Sequence, residues 1–132
     1  MNAFLIELRN KPGELARVAE AIASKGINIT AVSGSACGDG GSVAVMTADE
    51  SATRMILKDA GAAFREVEVV EAPLPHQPGS LAKASRRLAD AGINIEALLV
   101  TGMEGNDAIV AFLTADPARA KEVLAGATTG GR

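Results

Sequence analysis

Hydrophobic and polar residues near the start of the chain follow first the period of a strand and then the period of a helix. Apolar side chains alternate with other residues over positions 4–9, which predicts a strand with one buried face. Apolar positions then lie three or four residues apart between Pro12 and Gly26. We predict Pro12 to be the first helical residue and Gly26 to be the left-handed cap that ends the helix. This spacing predicts an amphipathic helix with a stripe of core residues. The stripe contains Leu15, Val18, Ala19 and Ile22.

The same unit continues with two strands, a second helix and a last strand. Residues 27–33 and 42–47 are predicted strands, joined by a hairpin loop in the Gly-rich stretch SACGDGG. Asp49 is the predicted N-cap of a helix that ends at Gly61. Residues 64–70 alternate again and predict a strand. The resulting β-α-β-β-α-β order is that of the ferredoxin-like split unit.

The segment KPGELARVAEAIASKGINI, which begins at residue 11, returns as QPGSLAKASRRLADAGINI from residue 77. With a shift of 66 positions, nine of the twenty residues from Asn10 to Ile29 are identical to those from His76 to Ile95. A long fixed period indicates a duplicated supersecondary unit. We therefore predict an α+β protein of two ferredoxin-like units, residues 1–68 and 69–132, each with an antiparallel sheet and its helices on one face.

The second unit is expected to follow the path of the first until its end. Its predicted elements are a helix over residues 79–91, strands over residues 93–101 and 108–114, and a last helix capped by Asp116 that ends at Gly126. Leu81 and Leu88 are the predicted core residues of its first helix. No turn signal interrupts residues 64–74, which predicts one long strand shared by both units. The second unit has no candidate for its last strand. We expect its open sheet edge to pair with the shared segment or with a second chain.

Composition narrows the classes of function. Hydrophobic residues make up 48% and charged residues 22% of the chain, as in soluble globular proteins. The longest apolar run is far too short to span a bilayer, and the first residues include no basic leader, so we expect a cytoplasmic location. The net charge of −3 argues against the binding of nucleic acid or of an anionic membrane surface, and with three aromatic residues the chain has few rings on which bases could stack. With Cys37 as its one cysteine, the chain can form no internal disulfide.

Two features of the repeat suit the recognition of a zwitterion. The Pro-Gly turns at residues 12–13 and 78–79 stand where a helix begins, and the free N–H groups and positive dipole end there favour an anion. Asn28 and Asn94 offer an acceptor and two donors each. Both features also have purely structural interpretations. Pro-Gly is a common helix entrance, and an Asn between a helix and a strand can bond to local backbone.

The pattern of a strand, N-x-P-G-x-L, a helix and G-I-N-I resembles the ACT domain, a small regulatory module of many enzymes of amino-acid metabolism. The resemblance covers both units. It implies ferredoxin-like copies that associate in pairs and hold an amino acid in the cleft between two copies, contacted by the first strand–helix loop and the start of the second strand. Carried over by position, the implied ligand contacts are Asn10, Lys11, Pro12, Gly13, Glu14, Leu15, Asn28, Ile29, His76, Gln77, Pro78, Gly79, Ser80, Leu81, Asn94 and Ile95.

The two loops depart from the serine-binding type of this family. Its loop Asn corresponds to Asn10 in unit one but to His76 in unit two. The His that precedes the loop Asn in that type is Leu8 in unit one and Leu74 in unit two. These departures argue against serine as the ligand.

The expected function is that of a non-catalytic regulatory or sensor protein that binds a free amino acid, forms a homodimer and uses no cofactor or metal. The alternative is a ligand-free interaction module, or a regulatory subunit that docks on a partner enzyme of amino-acid metabolism. An enzyme is not expected, because the sequence offers no nucleophile–base set, no metal-ligand cluster and no phosphate-binding Gly motif.

Overall fold

The computed structural model describes residues 1–130, with side chains through residue 126. The chain divides into two compact units, Met1–Val67 and Glu68–Arg132. In each unit, strands and helices follow one another in the order of a ferredoxin-like fold, and two helices cover one face of an antiparallel sheet. The fold class predicted from the sequence is therefore confirmed.

Unit one contains three complete strands, two helices and the first part of a fourth strand. The elements are β1 (Asn2–Arg9), α1 (Glu14–Ala23), β2 (Ile29–Cys37), β3 (Gly40–Thr47), α2 (Glu50–Asp59) and β4 (Phe64–Pro75). The strand order is β2-β3-β1-β4, and β3 is antiparallel to both of its neighbours. Because β1 and β2 both run opposite to β3, they run in the same direction. Helix α1 therefore returns the chain to the starting end of the sheet.

Unit two uses the second part of β4 as its first strand. The remaining elements are α3 (Ser80–Asp90), β5 (Ile95–Glu104), β6 (Asp107–Thr114) and α4 (Pro117–Gly130), and the strand order is β4-β6-β5. Residues 64–75 form one uninterrupted strand, which confirms the predicted shared strand. No strand follows α4 within residues 1–130, so the pairing partner of the open edge stays a prediction. Among the same residues, no helix has the length and apolar character of a membrane span.

The predicted hairpin loop between β2 and β3 and the predicted end of the last helix are wrong for local reasons. The β2–β3 connection is the two-residue turn Gly38-Asp39 instead of the whole Gly-rich stretch, because Gly38 takes the positive φ of 62° that a tight hairpin needs. Helix α4 continues to Gly130 instead of ending at Gly126. A glycine inside a helix costs only about 1 kcal/mol and does not by itself end the helix.

Each unit packs its helices on its sheet through a core of its own. In unit one the buried cluster consists of Phe4, Ile6, Val18, Ile22, Val43, Val45 and Leu57. In unit two it consists of Val70, Ala72, Ala84, Leu88, Ile93, Val110, Phe112, Ala120 and Leu124. Leu15 and Leu81, predicted as core, are instead 52% and 48% exposed. Each lies in a first helical turn that follows an exposed loop, and the buried stripe begins one turn later, at Val18 and Ala84.

The two units differ in one threonine pair at the end of the third strand, in which Thr53 is buried and Thr47 is half-buried. In unit one the hydroxyls of Thr47 and Thr53 lie 2.7 Å apart, and Thr53 Oγ1 donates to the Asp49 carbonyl at 2.7 Å. In unit two the counterpart of Thr53 is Ala120. The buried hydroxyl of Thr114, the counterpart of Thr47, consequently has no hydrogen-bond partner among the described residues.

This difference predicts opposite results for the same substitution in the two units. Thr47→Val removes a paired hydroxyl and should lower the free energy of unfolding by about 1 kcal/mol. Thr114→Val removes an unpaired hydroxyl of the same shape, so stability should stay unchanged or rise by up to about 1 kcal/mol. Urea denaturation of both variants measures the difference. Equal losses would show that Thr114 has a partner after all.

A carboxylate joins β1, α2 and β4 in unit one. Arg54 donates to Glu66 through Nε at 2.6 Å and through Nη2 at 2.8 Å, and Asn2 Nδ2 donates to the same carboxylate at 2.7 Å. The hydrogen bonds from Arg54 and then from Asn2 stabilise the charged form and lower the pKa of Glu66 from 4.5 to about 2.

The lowered pKa of Glu66 predicts where acid weakens unit one. A carboxylate whose pKa is lower in the folded state contributes stability above pH 4.5 and loses that contribution as the pH falls from 4.5 towards 2. Glu66→Gln should therefore lower the melting temperature at pH 7 and converge with the parent protein near pH 2. Asp90→Asn is the matched control, because the Asp90–Arg86 pair is long at 3.9 Å and both side chains are exposed. A parallel offset at every pH would contradict the assignment.

Candidate functional site

Both Pro-Gly pairs form type II turns that lead directly into a helix. Gly13 has φ 92° and ψ −11°, and Gly79 has φ 93° and ψ −12°, which are the values of the third residue of this turn. The turn-closing hydrogen bonds run from Glu14 N–H to the Lys11 carbonyl at 3.5 Å and from Ser80 N–H to the Gln77 carbonyl at 3.4 Å. Pro sets the φ of the second turn position, and Gly supplies the positive φ of the third.

The turns also explain why the first predicted helix begins later than expected. Gly13 is left-handed and cannot lie inside a right-handed helix, so α1 begins at Glu14 and not at Pro12. The prediction that Pro12 is the first helical residue is wrong, because Pro12 occupies the second position of the turn.

Helices α1 and α3 differ from α2 and α4 in how their N-termini are capped. Asp49 accepts a hydrogen bond from Ala52 N–H at 3.0 Å, and Asp116 accepts one from Arg119 N–H at 3.1 Å. At Gly13 and Gly79 no side chain caps the helix. The Glu14 and Ser80 amides close the turns, so the amides that remain available to an anion at the positive end of the helix dipole are the second and third of each helix, those of residues 15 and 16 in α1 and of residues 81 and 82 in α3. An α-carboxylate has the charge and size to use them.

The two loops differ in the charge that they already hold. In unit one the Glu14 carboxylate accepts a long hydrogen bond from Arg9 N–H at 3.4 Å and lies 3.7 Å from Arg17 Nη2. The counterpart of Glu14 in unit two is Ser80, and the first turn of α3 contains no acidic residue. Loop one thus contains the acidic Glu14 beside the basic Lys11, whereas loop two contains no acidic residue. Lys11 and Gln77, both exposed, complete the loops.

The strand–helix loops lie against the hairpin tips of their own units. Asn10 donates to the Asp39 carbonyl through its backbone N–H and to the Gly38 carbonyl through Nδ2, each at 2.9 Å. In unit two, His76 N–H donates to the Asn106 carbonyl at 2.9 Å. Sequence reasoning missed the hairpin tips as neighbours of the loops. The two-residue Gly-Asp and Gly-Asn turns were the signal that could have placed them there.

The carboxamides of Asn28 and Asn94 lie at the other end of each sheet. Asn28 precedes β2 at the level of Thr47, whereas the unit-one loop stands at the level of Cys37 and Gly40. These levels are eight residues apart along β2, roughly 26 Å at about 3.3 Å per residue. Asn94 has the same place in unit two, because Ile95 pairs with Thr114. The structure does not bring the loop and the strand-start Asn of one unit together.

The exposed surface of the two loops has an apolar part. Leu15 and Leu81 come directly after the last residue of each turn and stay about half exposed. Ile29 and Ile95, in contrast, are half-buried and pack against the cores of their units. Asn28 and Asn94 keep exposed side chains, and the Asn28 carbonyl accepts from Ala48 N–H at 3.1 Å. Within the described part of the chain, no three acidic, His or Cys side chains converge on a metal position.

Known proteins share the architecture of this chain. A family model described as an ACT domain pair matches residues 1–128. No curated protein sequence matches the chain significantly. The structure of protein BT0572 from Bacteroides thetaiotaomicron is similar, with 30% identity, coverage of 94% of this chain and 85% of that chain, and a TM-score of 0.77.

Two further structures share the fold at lower identity. They are the regulatory subunits of aspartate kinase from Thermus thermophilus, in its ligand-free form, and from Thermus flavus. Each is 20% identical to this chain over 96% of it and 90% of the other, with TM-scores of 0.63 and 0.61.

Proposed function

This chain belongs to the ACT domain pair family, and we propose that it is a non-catalytic regulatory protein that binds a free amino acid. The similarity to regulatory subunits supports a regulatory role, and the two loops suggest the kind of ligand. The observation that carries the proposal is the repeated left-handed Gly that opens a helix without a side-chain cap, at Gly13 and again at Gly79. A free carboxylate can bind the first amides of such a helix.

The recognition of the ammonium group requires an acceptor that the helix end does not provide. Asn28 and Asn94 have exposed carboxamide oxygens, but each lies at the far end of its own unit from the loop. We therefore place the loop of one chain opposite the strand-start Asn of a second chain, in a homodimer. Each ligand then lies in a cleft between two copies of the fold, as the family resemblance implies.

Binding of free amino acids tests this proposal directly. The full chain is titrated with each of the twenty common amino acids at millimolar concentration in a calorimeter, and its melting temperature is recorded with each. A specific ligand should release or absorb heat and should raise the melting temperature, because binding to the folded state alone stabilises it. The absence of heat and of a thermal shift with every amino acid would contradict the proposal.

The charge difference between the loops predicts which loop binds a carboxylate more tightly. Ser80→Glu would give loop two the acidic residue that loop one already has, and like charges repel at the helix end. We expect the affinity for the amino acid found in the titration to fall about tenfold, which corresponds to about 1.4 kcal/mol. Glu14→Ser is the reciprocal variant and should leave affinity unchanged or raise it. Calorimetry measures both, and equal affinities in all three proteins would contradict the prediction.

A second candidate function is a subunit that docks on a partner enzyme without a ligand of its own. The half-exposed Leu15 and Leu81 favour it, because each offers an apolar contact beside a loop. Two of the similar structures are regulatory subunits of a kinase. Affinity purification of the full chain, followed by an activity assay of the recovered enzyme with and without amino acids, separates the two functions. A stoichiometric partner whose activity ignores every amino acid would favour docking alone.

A further inference from the structure

Asn10 connects the strand–helix loop of unit one to the tip of the β2–β3 hairpin by hydrogen bonds. The backbone N–H and the side-chain Nδ2 of Asn10 donate to neighbouring carbonyls, those of Asp39 and Gly38, both at 2.9 Å. The acceptors form the two-residue turn that ends β2, the outermost strand of the unit-one sheet. The loop is thus connected to the edge of the sheet by a side chain as well as by the backbone.

Unit two has only the backbone half of this connection. His76 N–H donates to the Asn106 carbonyl at 2.9 Å, as Asn10 N–H does to Asp39. Within the described residues, the His76 imidazole makes no hydrogen bond to the turn Gly105-Asn106. The comparison isolates one interaction, the bond from Asn10 Nδ2 to Gly38, as specific to unit one.

We propose that Asn10 is a positioning residue that couples the unit-one loop to the β2 edge of the sheet. The bond from Nδ2 to the Gly38 carbonyl holds the carboxamide in one orientation and uses one of its two N–H donors, so the oxygen and the second N–H remain for a ligand. A displacement of the loop then displaces the hairpin tip, and the reverse also holds. Its use in signalling rests on the proposed function: occupancy of loop one would reach strand β2 through both bonds, whereas loop two has only its backbone bond to the hairpin tip.

The coupling is tested without a ligand by a double-mutant cycle read by hydrogen exchange. Gly38→Ala strains the tip, because Gly38 has φ 62°. Exchange of the backbone amides of residues 11, 13 and 14 should become roughly two- to tenfold faster, the range expected for the loss of one hydrogen bond. In the Asn10→Ala background only the backbone bond to Asp39 connects the loop to the tip, so the same Gly38→Ala substitution should speed the exchange of these amides by a smaller factor.

Unit two provides the matched control. Gly105 has φ 61°, and Gly105→Ala should change the exchange of the amides of residues 77, 79 and 80 equally with His76 or with Ala at position 76. Equal effects of Gly38→Ala with and without the Asn10 side chain would overturn the proposal. If Gly38→Ala prevents folding, the isosteric Asn10→Asp, which lacks the donor, should by itself speed exchange at residues 38–40, and unchanged exchange would overturn the proposal. Neither outcome depends on whether an amino acid binds.

Discussion

Phe112→Ala is expected to lower the free energy of unfolding of unit two by about 3–5 kcal/mol, which is most or all of the stability of a small unit. Phe112 is fully buried on β6, in one cluster with Leu88 of α3 and Leu124 of α4. Removal of the ring leaves a cavity between the sheet and both helices, and the surrounding side chains can fill it only in part.

Urea denaturation followed by circular dichroism measures this loss, with Val100→Ala as the control. Val100 lies on the neighbouring strand β5 and is 60% exposed, so its truncation should cost less than about 0.5 kcal/mol. Phe4, also fully buried, is the counterpart in unit one, and Phe4→Ala should destabilise that unit by a similar amount. A loss below about 1 kcal/mol for Phe112→Ala would contradict the core described for unit two.

Gly79→Ala is expected to affect both stability and ligand binding. A Cβ at Gly79 would meet nothing within 4 Å, so the cost arises from its φ of 93° alone, about 1–2 kcal/mol. The strain can be relieved only if the turn changes shape, which moves the first amides of α3. We therefore expect the affinity for the amino acid to fall at least tenfold, about 1.4 kcal/mol.

Gly102→Ala is the matched control for this prediction. Gly102 also has nothing within 4 Å of its Cβ position, but its φ is not positive. The Gly102→Ala variant should therefore bind the amino acid with the affinity of the parent protein. Calorimetric titrations of Gly79→Ala, Gly13→Ala and Gly102→Ala provide the comparison. Unchanged affinity in both turn variants, with an intact melting transition, would show that the turns do not contact the ligand.

Local signals in the sequence were sufficient for most of the fold. The repeated segment predicted two copies of one unit, and the absence of a turn signal before residue 74 predicted the long strand β4. The caps at Asp49 and Asp116 were also predictable, because an acidic side chain before a helix bonds to amides of its own first turn. Each of these features depends on residues close together in the sequence.

The arrangement of the candidate site depended on contacts between distant residues. Asn10 and Asn28 stand at the two ends of one repeated motif, and only the parallel course of β1 and β2 reveals that a whole strand length separates them. The contact of Asn10 with Gly38 depends in turn on the hairpin register. Leu15 has the spacing of the apolar stripe but is about half exposed, because the first turn of α1 does not pack on the sheet. The spacing of apolar residues does not show at which turn a helix begins to pack.

A titration of the isotopically labelled chain with the amino acid identified by calorimetry, followed by NMR of the backbone amides, tests the central claim most directly. The proposed site predicts the largest shifts at residues 10–15 and 76–81, with shifts of the side-chain amides of Asn28 and Asn94. It also predicts that Gly79→Ala reduces the shifts at residues 76–81. Shifts confined to other surfaces, with both Pro-Gly turns unchanged at saturation, would contradict the claim that these turns bind the ligand.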